Sequence, residues 1–385
     1  MNRPPRRILV APDSFKGSLS AADAASAMAE GIRRVAPGID IVTLPVSDGG
    51  EGLVDVLTPA LGGTIVTEDV LGPLPEMRVT ARWGYVPDRA MAVIAMAEAA
   101  GLALVPPARR DPRVTTTYGV GQLILAALGR NVHEIIVGIG GSATNDGGAG
   151  MASALGAEFL DESGNPLPPG GAALARLARI AIEQLDMRLR RVRVTAACDV
   201  TNPLTGPEGA SRIYAPQKGG GAETVEILET ALCRYAEILR TRLGHDVASI
   251  PGSGAAGGLG AGLLAFCDAE LRPGIDIVLD ATGFDRMLSG VDLVLTGEGR
   301  VDVQTRAGKA LTGVLARARK AGVPVAVVAG SIEGDRSAYV GRNGFADIIS
   351  LVDERTSITA AIARAGDLCT ARTAEMLTRM RGLSP

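Results

Sequence analysis

The chain has 385 residues, 46% hydrophobic and 21% charged, with a formal net charge of −3. That length leaves room for two packed cores, and the near-neutral charge gives no electrostatic reason to expect a nucleic-acid or membrane partner. Aromatics at 3% also argue against base-stacking platforms.

Arg7 to Ala11 reads as a first strand opening into Pro12-Asp13-Ser14-Phe15-Lys16-Gly17, followed by a helix over Leu19 to Val35 capped by Ser18 or Ser20. Asp13, Ser14 and Lys16 thus stand beyond a strand's carboxyl end, where open α/β sheets bind ligands; the plainer reading leaves Asp13 and Lys16 as solvated loop charges. A second strand, Asp40 to Val46, ends in Ser47-Asp48-Gly49-Gly50-Glu51-Gly52 before a helix from Leu53 to Leu61. Carboxylates there suit Mg²⁺, which takes one or two of them alongside phosphate oxygens; alternatively Asp48 caps the helix and Glu51 faces its dipole. Three alternating runs, Thr64 to Asp69, Arg78 to Tyr85 and Met91 to Ala97, lack intervening helices and predict an antiparallel meander.

A loop from Pro106 to Arg113 and a helix from Gly119 to Leu128 lead to the strand Ile135 to Val137. Gly138, Gly140, Gly141, Ser142, Thr144, Asn145, Asp146, Gly147, Gly148 and Gly150 follow it. Glycines let a backbone turn and approach a ligand, and polar residues opening a helix put free N–H groups before an anion. An ordinary strand–turn–helix junction with Ser, Asn and Asp as caps is the alternative. Leu155 to Gly171 reads as a hairpin, Val192 to Ala197 as a strand ending near Asp199 and Asn202, and Ala222 to Leu243 as a helix. A glycine tract containing Gly254 runs into a further helix. Strands are predicted at Ile275 to Leu279 and Asp292 to Thr296, the latter turning through Gly297-Glu298-Gly299-Arg300-Val301-Asp302. A helix from Lys309 to Ala321, strands at Val323 to Ala329 and Asp347 to Val352, and a helix from Ser357 to Met380 complete the chain. The ends look doubly wound and the middle inserted. We therefore expect an α/β protein with a discontinuous domain (1–62 and 280–385), an inserted mixed α/β domain (63–279), and a ligand cleft between them.

Four cysteines, Cys198, Cys233, Cys267 and Cys369, show no zinc or CxxC spacing, and two histidines make a histidine triad or metal site improbable. Free thiols, an N-terminal apolar run too short for a signal peptide and no membrane-length apolar run fit a cytoplasmic protein. The strand-end residues are carboxylates, amides, cations and glycines: Asp13, Ser14, Lys16, Asp48, Glu51, Asn145, Asp146, Asp199, Asn202, Glu298, Arg300, Asp302 and Lys309. Phosphoryl transfer needs that set, because it runs on positioning and charge stabilisation, with a carboxylate to accept a hydroxyl proton. A Walker loop is missing: Gly308-Lys309 lacks the upstream glycine and the following Ser/Thr. The rivals are a dinucleotide-binding oxidoreductase, since Gly138 to Ala143 and Gly252 to Gly257 fit its glycine pattern, and a non-catalytic ligand-binding protein.

The segments APDSFKGSLSA (11–21), PVSDGGEG (45–52), GIGGSATNDGGAGM (138–151), CDVTNPLTGPEGA (198–210), PGSGAAGGLGAG (251–262) and TGEGRVDVQTRAGK (296–309) resemble, in order, those of the bacterial glycerate kinase family, class I type. The resemblance runs from about residue 7 to 380. It implies a Rossmann/flavodoxin-like domain with an inserted α/β domain, and ATP- and Mg²⁺-dependent phosphorylation of D-glycerate, generally to 2-phosphoglycerate and ADP. Small molecules are the expected partners, with a homodimer the one assembly considered and another small hydroxy acid as alternative substrate. On this reading Arg300 or Lys16 holds the substrate carboxylate, with Arg300 preferred for its fork. Asp199 or Asp48 accepts the hydroxyl proton, and Asp48, Glu51 or Asp302 reaches Mg²⁺. Binding of substrate or nucleotide falls to Asp13, Ser14, Gly49, Gly50, Gly140, Gly141, Ser142, Asn145, Asp146, Asn202, Gly254, Glu298 and Lys309, with the tracts 138–150 and 252–262 cradling phosphates.

Overall fold

A computed structural model describes residues 5–50, 52–302, 310–341, 344–354 and 356–380. Glu51 and Lys309, both expected in the site, lie outside the described residues. In chain order the strands are β1 (Arg7–Val10), β2 (Asp40–Thr43), β3 (Thr64–Leu71), β4 (Arg78–Val86), β5 (Met91–Ala95), β6 (Glu134–Gly138), β7 (Glu158–Leu160), β8 (Arg179–Ala181), β9 (Arg193–Ala197), β10 (Glu270–Arg272), β11 (Leu293–Val301), β12 (Val325–Ile332) and β13 (Asp347–Ser350). The chain divides into two compact units, Met1–Asp48 with Ile275–Pro385, and Gly49–Gly274.

In the first unit, Ile8, Leu9 and Val10 of β1, Leu293, Val294 and Leu295 of β11, and Val325 to Val328 of β12 are buried along their whole runs. Strands apolar on both faces suit a parallel sheet covered on both sides. The sheet is parallel throughout, in the order β13-β12-β11-β1-β2. Renumbered within the unit this is 2-1-3-4-5, the flavodoxin-like order, whose switch point lies between β1 and β11. The helix Ala21–Val35 starts where Ser20 Oγ accepts the Asp23 N–H at 3.1 Å. It buries Ala24, Met28 and Ile32 and packs on the helix Ala365–Met380. The closing helix is broken in two, Ile358–Ala363 and Ala365–Met380.

Two expectations fail here. Ile275 to Leu279 is not a strand but part of the helix Gly274–Thr282. Ile275, Val278 and Leu279 are buried at helical spacing, and the Thr282 hydroxyl donates back to the Val278 carbonyl at 2.7 Å. Nor does the strand at 292–296 turn at Gly297: β11 runs on through Glu298 and Arg300 to Val301, paired with β12 as far as Ile332.

The second unit holds a mixed six-stranded sheet, β10-β9-β6-β5-β4-β3. β3, β4 and β5 form the expected antiparallel meander, and β5, β6, β9 and β10 are parallel. Its core includes Trp83, Ile94, Ile124, Val137, Tyr235 and Leu259. The helix Leu53–Ala60, expected in the first domain, packs on β3, β4 and β5 and belongs to this unit. The expected hairpin around Gly164 forms, with an antiparallel bridge between Leu160 and Pro166 and the Leu167 N–H on the Phe159 carbonyl at 2.8 Å, and β7 pairs in addition with β8. The long helix ends at Ile238 and widens into a π turn over Leu239–Leu243.

The tract at 252–262 enters the helix Ala255–Cys267 with non-helical backbone at Ala256, Gly257 and Gly258. Gly257 has φ +67°, and a Cβ there would lie 2.0 Å from the Thr144 carbonyl oxygen. Glycine is required twice over, for conformation and for space. Gly257→Ala is therefore expected to cost about 2 kcal/mol or more, read as a lower urea midpoint at unchanged slope; a midpoint equal to wild type would show that the segment yields freely.

Candidate active site

At the switch point of the first unit, Asp13 follows β1 directly. Its N–H donates to the Gly297 carbonyl at 2.8 Å, which pins it beside β11 immediately before Glu298. Asp13 and Glu298 are buried and Asp48, from the loop after β2, is half-buried. Burial, then the charge of Asp48, then that of Glu298 push the Asp13 carboxyl up to about 8, against a 2.6 Å bond from the Ser14 N–H that favours its ionised form. The structure thus brings together three expected site residues, Asp13, Asp48 and Glu298, in one acidic cluster, with Ser14 alongside. Asp48 does not cap the following helix: Gly52, with φ +88°, stands at that position and offers no side chain.

Lys16 and Arg300 differ sharply. Both are exposed, and Arg300 gives Nη2 to Glu333 at 2.5 Å and approaches Asp302 at 3.7 Å. Lys16 makes no ion pair among the described residues. Its backbone lies against Gly299, where a Cβ would come within 3.0 Å of the Lys16 nitrogen. Arg300 thus gives one nitrogen to an exposed ion pair with Glu333, which Lys16 does not have among the described residues. Asp302 sits next to that pair rather than in the acidic cluster. Among the described residues, no three Asp, Glu, His or Cys side chains converge closely enough to form a ready metal cage.

In the second unit, β6 delivers the glycine motif. A Cβ on Gly138 would meet the Gly49 carbonyl oxygen at 2.5 Å, and one on Gly140 would come within 3.0 Å of the Gly50 Cα. Gly49, Gly50 and Gly140 are thereby packed backbone to backbone. Gly141 is exposed with φ +74°, and the neighbouring Ser142 is buried.

The next residues turn inward. The Asp146 carboxylate accepts from the Thr117 N–H (2.8 Å) and hydroxyl, and from the Gly148 and Gly150 N–H groups at 3.2 Å. Burial raises its pKa while these bonds oppose the rise. Asp146 thus ties the loop together. Asn202 is likewise consumed, giving Nδ2 to the Glu208 carbonyl at 2.8 Å and accepting the Tyr214 hydroxyl at 2.6 Å. Gly254 is buried with its N–H on the Asn202 carbonyl at 3.0 Å, so that amide does not face a phosphate. Asn145 is fully buried and gives Nδ2 to Ser211. Asp199 stays exposed at the end of β9, with Oδ1 accepting the Gly274 N–H at 2.9 Å.

Sequence reasoning missed Lys218. It is 1% exposed, and its Nζ donates to the Thr144 carbonyl at 2.6 Å, inside the glycine motif. Burial lowers its pKa to about 7, against the pull of Asp146. No local signal marks it, since a lysine between Gln217 and Gly219 reads as an exposed turn.

Neither dinucleotide pattern has its required setting. The helix after Gly138 to Ala143 begins only at Ala149 and spans six residues, too short for a crossover helix. No strand immediately precedes Gly252.

The profile of the glycerate kinase family matches residues 8–381. The chain is 48% identical over 361 residues to a protein named glycerate kinase from Halalkalibacterium halodurans, covering 94% of each. It is 48% identical over 329 residues to one named glycerate 2-kinase from Escherichia coli K12, covering 86% of each. A crystal structure from Salmonella typhimurium LT2, assigned as a glycerate kinase 2, superposes with a TM-score of 0.87 at 45% identity, over 98% of both chains.

Two buried ionisable groups give measurable signatures. Asp13 holds its proton to about pH 8 when folded but releases it near 3.8 when unfolded. The stability it lends below 3.8 is lost as pH rises through 8. Asp13→Asn should therefore gain on wild type between pH 4 and 8, by up to a few kcal/mol at about 1.4 kcal/mol per tenfold in proton affinity. Lys218 has the opposite sign. The unfolded chain keeps a proton up to 10.5 that the folded one releases near 7, so wild type should gain on Lys218→Met as pH rises from 7 towards 10. Denaturant midpoints at several pH values check both, and parallel curves for variant and wild type would refute either.

Proposed function

Since the chain belongs to the glycerate kinase family, we propose that it works as an ATP-dependent kinase of D-glycerate, transferring the γ-phosphoryl group to the 2-hydroxyl and giving 2-phosphoglycerate and ADP. One observation carries the residue-level reading: Asp13, Asp48 and Glu298 crowd the switch point of a flavodoxin-like sheet, with the exposed Lys16 on the same loop as Asp13. Asp48 is also the chain neighbour of Gly49, which packs on the glycine motif.

The donors suit Mg²⁺. They are hard carboxylate oxygens whose mutual repulsion a divalent cation relieves, and Mg²⁺ needs only one or two of them beside phosphate oxygens and water, so a preformed cage is unnecessary. Asp48 and Glu298 would hold it; when bound, the ion supplies neutralisation of charge on the transferring phosphate. Lys16 would meet the glycerate carboxylate. Asp199, its carboxylate oriented by the Gly274 N–H, would take the hydroxyl proton. Gly140, Gly141 and Ser142 would present backbone to the phosphates. Among the described residues no helix is long and apolar enough to cross a membrane, in keeping with a cytoplasmic enzyme.

A coupled assay with ATP, Mg²⁺ and a panel of hydroxy acids, with phosphorus NMR of the product, tests the reaction. Product carrying phosphate on the 3-hydroxyl, or faster turnover of another acid, would overturn it. Lys16→Met should raise KM for glycerate by about tenfold or more, whereas Arg300→Met should stay within about threefold. Asp199→Asn should lower kcat by about a hundredfold or more without moving the Mg²⁺ dependence. Asp48→Asn should raise the Mg²⁺ needed for half-maximal rate by about tenfold or more.

A further inference from the structure

The second unit carries a cavity of about 420 Å³ whose wall includes Arg109, Arg110 and Arg113, with Glu76, Asp111 and Gly219 around them. None of these residues has a part in the chemistry above. Two of the guanidinium groups are already spoken for. Arg113 closes bidentately on Asp111, Nε to Oδ1 at 2.9 Å and Nη2 to Oδ2 at 2.8 Å, and Arg109 pairs with Glu76. Arg110 is different. Its Nε reaches only the Val105 carbonyl, at 3.4 Å, and no carboxylate pairs with it among the described residues. Among the wall residues three cations face two carboxylates, and Glu223, the chain neighbour of the wall residue Thr224, also acts on Arg113; what the cavity offers an anion is the half-buried Arg110 fork, which has no carboxylate of its own among the described residues.

The backbone that carries this fork is held in place. Gly219 has φ +95°, and a Cβ there would lie 2.4 Å from the Arg110 carbonyl oxygen. The turn ending at Gly219 is therefore clamped on the Arg110 backbone. Leu74, another wall residue, packs with Val105 and Ala143. A planar fork with no carboxylate partner among the described residues, its Nε only at 3.4 Å from the Val105 carbonyl, suits the oxygens of a tetrahedral dianion. A volume of this size admits a group attached to that dianion and not the bare ion alone.

We propose that this cavity is a second anion site, separate from the acidic cluster, and that it binds a phosphate dianion, either a small organic phosphomonoester or free phosphate, with Arg110 as its anchor. Binding here does not require the kinase reading to be correct.

The test uses the full-length protein without ATP or glycerate, titrated calorimetrically with inorganic phosphate and separately with 2-phosphoglycerate. Saturable binding by wild type is expected, weakened at least about tenfold by Arg110→Gln. Arg109→Gln and Arg113→Gln should change it less than about threefold, because those side chains are already paired. Lys16→Met should leave phosphate affinity unchanged. Binding of 2-phosphoglycerate that is tighter than that of phosphate, and is weakened by Arg110→Gln but not by Lys16→Met, assigns the organic source; Arg110-dependent binding no tighter than that of phosphate assigns free phosphate. Arg110→Lys, which keeps the charge and loses the fork, should also weaken binding and serves if Arg110→Gln fails to fold. Unchanged affinity in the folded Arg110 variants, loss in Lys16→Met instead, or no saturable binding by wild type would overturn the proposal.

Discussion

The first unit is organised around an unfavourable interaction. Asp13 is buried, pinned by its own N–H to Gly297, and set against Asp48 and Glu298 with its carboxyl raised to about 8. Nothing in the packing of the sheet demands this. Replacing any of the three by a neutral isostere would remove a cost that the rest of the fold offsets. Such local costs collect where a site must receive an opposite charge. The sheet places the cost at its switch point, where β1 and β11 run parallel and their helices leave in different directions, so the strand ends stay uncovered.

Backbone packing does the corresponding work in the second unit. The glycine motif after β6 is held by contacts that no side chain would permit: Gly138 on Gly49, Gly140 on Gly50, and Gly257 on Thr144. Asp146 and Lys218 then fasten the same segment from within, one by accepting four N–H and O–H groups and one by donating to the Thr144 carbonyl. Charged groups act here as internal ties, and their remoteness from water strengthens each bond. A loop fixed in this way can present Gly141 and its neighbours without reorganising when an anion arrives.

Much of this was legible in the residues. The parallel strands announced themselves as apolar runs, the meander as alternation, and the helix at 21–35 by its Ser20 cap. What failed did so for identifiable reasons. Gly297-Glu298-Gly299 reads as a turn, yet it lies in β11. Its glycines are there because Phe15 and Met28 press on one and the Lys16 backbone on the other. Ile275 to Leu279 is β-branched and apolar, but its burial repeats at helical spacing. Asp13 and Asp48 stood out because each follows a strand of the same sheet, and Glu298 because of its flanking glycines, although it lies inside β11. Asp146, Asn202 and Gly254 sit in similar loops, and only the folded chain shows that their partners are backbone groups, the Thr117 hydroxyl and a tyrosine. Lys218 gave no signal, since burial of a lysine depends on what the remote Thr144 segment offers it.

Arg300 and Lys16 show why the residue type alone could not choose the substrate's cation. By intrinsic geometry the guanidinium is the better carboxylate partner. In place, Arg300 gives Nη2 to Glu333 and has Asp302 at 3.7 Å from Nε, so two protein carboxylates compete with a substrate for it. Lys16 has no such competitor among the described residues, and its backbone is held against Gly299 while its side chain reaches solvent. Its loop starts at Asp13, whose carboxylate neighbours would otherwise repel an acidic substrate. The proposed role of Lys16 has an electrostatic reason: a small acid approaching a cluster of carboxylates needs a compensating positive charge close to them.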